Sequence, residues 1–267
     1  MEKNKIFLQI IIISALFLLW YLIVIIFNVP EYIFPGPLAV LNSWIENKRV
    51  ILSNAAITFE AALLGFLIAN LTSVIIALFV CFHRELENTI MPVAIVVKTI
   101  PVIALVPLLI IWLGSGLFSK IAAAALVCFF PALVNVLEGV KVLDKKMVWL
   151  FKVYAANKFQ LITKLIFPSI LPYLFAALKT SSSLAVVGAL VGEFIGSNKG
   201  LGFIIISNYY NMNTSLVFAA IITSSIIGIF FYYLIHFLEK KITFGEERII
   251  MERDRKAPTP YKYLERR

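Results

Sequence analysis

About six runs of some 20 or more mostly apolar residues divide this chain, and they decide what it can fold into. They are Ile6 to Val29, Ala56 to Phe82, Ile90 to Leu113, Ser119 to Val140, Ile170 to Ile195 and Ser215 to Leu238. A helix of roughly 20 apolar residues crosses the hydrocarbon core of a bilayer. Inside lipid every backbone N–H and C=O needs an internal partner, so such runs are read as helices. Composition agrees. The 267 residues are 61% hydrophobic and 15% charged, with mean hydropathy +0.94. A soluble domain is nearer half apolar and a quarter charged. The expectation is an all-α polytopic membrane protein.

The first run follows Lys3 and Lys5, like the charged start of a signal peptide. It is longer than a signal sequence's apolar region and no small-x-small site follows, so it reads as a retained anchor over residues 1–29. Pro30, Pro35, Gly36 and Pro37 break the chain. Trp44, Glu46, Lys48 and Arg49 then suit a short interfacial helix in an external loop spanning 30–55. Residues 56–238 form the core, and 239–267 a charged, partly disordered cytoplasmic tail.

Basic residues orient the bundle. With six spans, Lys3, Lys5, Arg84, the six lysines from Lys141 to Lys164 and nine basic residues after Leu238 fall on one side. Lys48, Arg49, Lys199 and Lys120 fall on the other. The richer side is cytoplasmic, which places both termini inside. The surplus of 24 Lys+Arg over 15 Asp+Glu is therefore assigned to membrane topology and anionic lipid, and not to nucleic acid. Cys81 and Cys128 lie in or beside apolar runs and read as small hydrophobes. His83 and His236 are far apart in sequence, so no Cys/His cluster suggests a metal.

The stretch 141–167 does not span. Leu143, Met147, Leu150 and Tyr154 recur at helical spacing among six lysines, which indicates one or two amphipathic helices on the cytoplasmic face. Such a helix either lies on headgroups or is presented to a cytoplasmic partner.

Within it, Tyr154-Ala155-Ala156-Asn157-Lys158-Phe159-Gln160, followed by Pro168 and Pro172, resembles the cytoplasmic loop of ABC-importer permeases of the nitrate/sulfonate/taurine type. The resemblance continues through Gly188, Gly192-Glu193-Phe194 and Gly200-Leu201-Gly202, and upstream through Pro101, Pro107 and Phe34-Pro35-Gly36-Pro37. It covers roughly 34–239. Four positions depart from the family pattern. Trp149, Leu150 and Phe151 stand where the family has Glu-Ala-Ala, and Ala155 stands where it has Gly. If the Gly position is helical, alanine there is a mild change.

The resemblance implies a permease subunit that forms the translocation pathway for a small anionic or heterocyclic solute. A coupling-helix loop between spans four and five would carry Tyr154 to Gln160, Pro168 and Pro172 to an ATPase. The implied partners are a cytoplasmic ABC ATPase dimer, an extracytoplasmic solute-binding protein and a second permease copy, identical or not. The implied location is the bacterial cytoplasmic membrane. The chain itself would bind no cofactor, and the partner would use ATP. The loop Gly196-Ser197-Asn198-Lys199-Gly200 lacks phosphate-loop spacing and reads as a flexible turn.

Ionisable residues in spans are costly and mark interiors or water-filled paths. Glu193 either stabilises a helix end or lines the path. Lys98 either attracts an anion or snorkels to headgroups. Pro101 and Pro107 suit a bent, path-lining third helix. Gly188, Gly192 and Gly196 repeat every four residues, as do Ala61, Gly65, Ala69 and Ser73. These stripes allow close packing, within one subunit or across a dimer. The competing class is an ion-coupled secondary transporter working without an ATPase. It needs coupling residues at midplane, and only Glu193 and Lys98 are available. No nucleophile motif or Cys/His cluster points to a membrane enzyme.

Overall fold

The computed structural model describes residues 2–83, 89–90, 92–93, 96 and 99–256. Its regular elements are α1 (Glu2–Ile26), α2 (Pro37–Glu46), α3 (Lys48–Phe82), α4 (Val102–Leu113), α5 (Leu117–Lys141), α6 (Lys145–Val153), α7 (Lys158–Leu161), a π-helical turn (Ile162–Ile166), α8 (Phe167–Phe194), α9 (Leu201–Tyr210) and α10 (Thr214–Lys256). No strand occurs among the described residues. Four helical stretches, Lys48–Phe82, Leu117–Lys141, Lys158–Phe194 and Thr214–Ile242, are long and apolar enough to cross a bilayer.

α5 is the centre, with α3 and α8 packed against it. Contact is close because the facing residues are small. A Cβ at Gly65 of α3 would lie 2.5 Å from the Ala124 Cβ and 2.8 Å from the Ile121 carbonyl oxygen. One at Gly188 of α8 would lie 2.7 Å from the Ala124 Cα, and one at Gly192 would lie 3.0 Å from the Ala123 Cβ. Both glycine stripes thus meet the run Ala122–Ala125 inside this chain. Ser73 continues the α3 stripe by donating a hydrogen bond to the Phe129 carbonyl of α5 at 3.1 Å. Gly196 leaves the α8 stripe: it lies beyond the helix end at φ +65° as a turn residue. Phe66, Phe175 and Phe231 fill the outer layer of this core and bring α10 onto α3 and α8.

α1 stands at the edge. Its contacts with the bundle run through Trp20, whose indole N–H donates to the Pro35 carbonyl at 3.0 Å and whose ring neighbours Phe34 and Phe218. Most of its other described side chains are exposed, as suits a lipid-facing helix.

Three differences from the sequence-based expectation have physical causes. The third span is broken, not merely bent. Thr99 and Ile100 form a turn, and α4 begins only after Pro101. A residue preceding proline is pushed out of the helical region. With 12 residues α4 is about 18 Å long, too short to cross alone. The polar tail does not fray at Glu239. α10 runs on to Lys256 through a stretch rich in Glu, Arg and Lys, which are good helix formers. The chain after Gly200 forms a short helix, α9, that hydropathy alone does not announce.

Replacing Gly65 or Gly188 with leucine should prise α3 or α8 from α5 and destabilise the bundle by about 1–3 kcal/mol or more. Gly228→Ala, at a position with open space around it, should leave stability unchanged. Thermal unfolding in mild detergent separates the two outcomes.

Candidate functional site

The segment that links α5 to α8 is built from two helix ends placed back to back. Asp144 caps α6, its carboxylate accepting the Lys146 N–H at 2.8 Å. α6 then stops in a defined way. The Ala156 N–H donates to the Phe151 carbonyl at 3.0 Å, the Ala155 N–H donates to the Lys152 carbonyl at 3.0 Å, and Ala155 sits at φ +51°. Those paired 6→1 and 5→2 bonds around a left-handed residue are a Schellman stop, whose left-handed position is normally glycine. The next helix starts one residue later. Asn157 and Gln160 form a capping box: the Gln160 N–H donates to Asn157 Oδ1 at 2.8 Å, and the Asn157 N–H to Gln160 Oε1 at 3.0 Å.

This geometry accounts for the spacing of the motif. Glycine is favoured at position 155 because the helix must end there left-handed, and glutamine at 160 because it closes the box that starts the next helix. It also answers the condition under which alanine there would be a mild change. The position is not helical, and a side chain at positive φ there costs about 1–2 kcal/mol.

The double turn leaves Trp149, Val153, Tyr154 and Phe159 well exposed, with Tyr154 at 78%. Lys146, Lys152, Lys158 and Lys164 are exposed among them. Ala155 and Asn157 are exposed and Ala156 half-buried. A π-helical turn, in which the Phe167 N–H reaches back to the Ile162 carbonyl, joins this knuckle to α8. Pro168 follows in the first turn of α8 and Pro172 lies inside it.

At the other end of α8 a second cluster forms. Glu193 is 1% exposed. Its carboxylate accepts the Gly202 N–H at 2.9 Å and the Thr58 hydroxyl at 3.0 Å. Thr58 in turn accepts the Leu201 N–H at 2.9 Å, and Asn54, one turn earlier on α3, accepts the Gly200 N–H at 2.6 Å. Three successive N–H groups at the start of α9 are thus each held by a side chain from another helix, where a helix has no partners of its own. The negative charge also faces the positive end of the α9 dipole. Lys120 of α5 donates to the Lys199 carbonyl at 2.7 Å and stands 4.0 Å from Glu193.

Of the two readings of Glu193, the geometry is that of a helix-end clamp. Gly200 is at φ +109°, and a Cβ on it would run into the Glu193 carboxylate. A Cβ at Gly202 would lie 2.7 Å from the Glu193 Cβ. The Gly-Glu-Phe and Gly-Leu-Gly motifs are therefore two halves of one clasp, which ties down the loop expected to be a flexible turn. Asn54, Thr58 and Lys120 escape sequence reasoning as its members. The available signal was weak: Asn54 and Thr58 stand four apart on a helix that also carries Lys48, Arg49, Ser53, Glu60 and Asn70.

Pro101 lines a cavity of about 520 Å³ together with Thr99, Leu105, Leu126, Phe130 and Leu184. Pro107 lies exposed within α4. Lys98 lies outside the described residues. Among the described residues no group of His, Cys, Asp and Glu is arranged to hold a metal.

Thr58→Val should leave the Leu201 N–H and the Glu193 carboxylate each short of a partner, at about 1–3 kcal/mol. Amide exchange at Leu201 and Gly202 should then speed up about tenfold or more, while the core of α5 stays protected.

Comparison with known proteins follows the same outline. The family described as "Binding-protein-dependent transport system inner membrane component" matches residues 64–244. The formylaminopyrimidine transport permease protein of Halalkalibacterium halodurans is 31% identical over 78% of this chain and 84% of its own length. The taurine transport system permease protein of Escherichia coli is 24% identical over 90% of each chain. Among solved structures, the inward-facing methionine ABC transporter MetNI has a chain of similar fold, with TM-score 0.58 and 20% identity, covering 74% of this chain and 94% of that one. The chain belongs to the family of inner-membrane permease components of binding-protein-dependent ABC transport systems.

Proposed function

We propose that two copies of this chain form the pathway of an ATP-driven importer, and that the knuckle at 145–166 seats each copy on a cytoplasmic ATPase. One observation carries the reading. The link between Leu117–Lys141 and Lys158–Phe194 is folded by two capped helix ends into a knuckle that exposes Val153, Tyr154 and Phe159. A helix lying on lipid would turn its aromatic face into the headgroups. Here Tyr154 and Phe159 stand exposed on either side of the turn, where a partner's groove can take them. Aromatic anchors of this kind dominate docking energies.

Within this reading the family's arrangement carries over. ATP is bound and hydrolysed by the separate subunit, and an extracytoplasmic binding protein delivers the solute. The named relatives, with formylaminopyrimidine and taurine as their solutes, support a small heterocyclic or anionic cargo. Both termini lie in the cytoplasm, on the same side as the lysine-rich knuckle. The Asn54–Glu193–Gly200 clasp and the basic residues Lys120 and Lys199 then lie at the outer end, since α8 runs from one cluster to the other. The cavity beside Pro101 borders the pathway.

Movement of the docked knuckle reaches the membrane through the π-helical turn. Such turns have one extra residue per loop and are frequent at functional sites. Pro168 and Pro172 each remove one backbone donor just beyond it. The base of α8 is thus the point at which its backbone ladder is weakest and the helix can swing.

Two experiments test the docking. Tyr154→Asp combined with Phe159→Asp should abolish co-purification of the ATPase in mild detergent, with membrane insertion intact. Transport driven by an ion gradient in liposomes holding this chain alone would contradict the proposal. Ala155→Gly should relieve the left-handed strain and stabilise the knuckle by about 1 kcal/mol with coupling retained. Ala155→Val, β-branched at positive φ, should weaken ATPase association. Titration of the purified ATPase against each variant checks both.

A further inference from the structure

Two cavities adjoin the knuckle without being needed for docking. The first is a groove of about 960 Å³ among the last two turns of α3, Thr89, Ile90, Val93 and α5. Ile75, Phe79, Phe82, Val93, Phe129 and Leu133 line it, and among the described residues Thr89 is the sole polar one in its wall. The second, about 480 Å³, lies beneath α6 where α3 and α5 end. Its wall includes Cys81, Phe82, Lys141, Trp149 and Lys152. No acidic side chain lines either cavity among the described residues.

Phe82 belongs to both walls, so its ring stands between the two spaces. The Lys158 ammonium stands 5.8 Å from the centroid of that same ring. An apolar slot at membrane depth therefore ends, at the level where α3 and α5 leave the bilayer, in a pocket carrying cationic side chains and an indole.

We propose that this is a binding site for an anionic phospholipid, with an acyl chain along the groove and the phosphate between Lys152 and Lys158. The two ends of the site differ in the same way as the two ends of such a lipid. Hydrocarbon walls of this length reject water, and lysines at the interface attract anionic headgroups. Trp149, in the wall of the second pocket, is of the residue type favoured at the membrane–water boundary. A second copy of the chain would have to supply an apolar helix ending in a carboxylate to match it equally well. The site touches α3, α5 and α6 together, so a bound lipid ties the knuckle to the bundle. The proposal rests on the membrane placement of α3 and α5, not on the docking of an ATPase.

Native mass spectrometry of the purified chain tests it, with phosphatidylglycerol and phosphatidylcholine of identical acyl chains as probes. Wild type should retain phosphatidylglycerol about tenfold or more over phosphatidylcholine. Lys152→Gln with Lys158→Gln should bring that ratio close to one. Val93→Trp, which fills the groove, should reduce retention of both lipids. Equal retention by wild type, or a preference unchanged in the double lysine variant, would overturn the proposal. So would efficient disulfide formation between two copies carrying Ile75→Cys in the assembled transporter, because the groove would then hold the second copy. Loss of ATPase binding in any variant bears only on docking and is read separately by co-purification.

Discussion

The close approach of α3 and α8 to α5 is the constraint on which the rest depends. Lipid tails are as apolar as leucine, so helices in a bilayer gain little from hiding hydrocarbon and associate by tight contact and hydrogen bonds. Here Gly65 and Gly188 both press on Ala124, from opposite helices, and Gly192 presses on Ala123. The Asn70 amide and the Ser181 hydroxyl, 3.0 Å apart, add a polar tie between α3 and α8 in the buried interior. With these three axes fixed, both functional ends acquire their positions. α5 delivers the chain to the knuckle and α8 carries it back.

α8 is the element shared by both ends. It begins after the π-helical turn and ends at Glu193, so any tilt imposed at Pro168 is expressed at the clasp around Gly200. That clasp is fully satisfied: Asn54, Thr58 and Glu193 each bind one N–H of the α9 terminus. Hydrogen bonds in such a buried network strengthen one another, so the outer end of α8 is held by several mutually supporting contacts, while its inner end starts at a π-helical turn and two prolines.

Much of this was legible in the sequence, and the limits have physical reasons. The spans follow from hydropathy because lipid leaves so few options for the backbone. The stretch 141–167, read as one or two amphipathic helices, holds α6 and the four-residue α7, since helical periodicity survives in short segments. The break at Pro101 was visible as a proline but not as a gap, because proline inside a helix and proline at its start share one signature. Ala155 hides its own conformation. Glycine at that position would announce a left-handed stop, whereas alanine reads as helix, and only the backbone shows otherwise. The clasp was half visible, through Glu193, Gly200 and Gly202. Its other half lies on α3, some 140 positions earlier, where Asn54 and Thr58 look like ordinary polar residues near a helix start. The lipid groove depends on how α3 and α5 diverge, which no local pattern encodes.

The proposed docking brings the knuckle against the ATPase. A photo-crosslinking residue placed at Tyr154 in the intact membrane reads this contact directly, without purification or transport. A docked knuckle gives a covalent adduct with a nucleotide-binding subunit, absent when the same residue is placed at Ile226 on an exposed face of α10. Adducts with lipid alone at position 154 would overturn the docking.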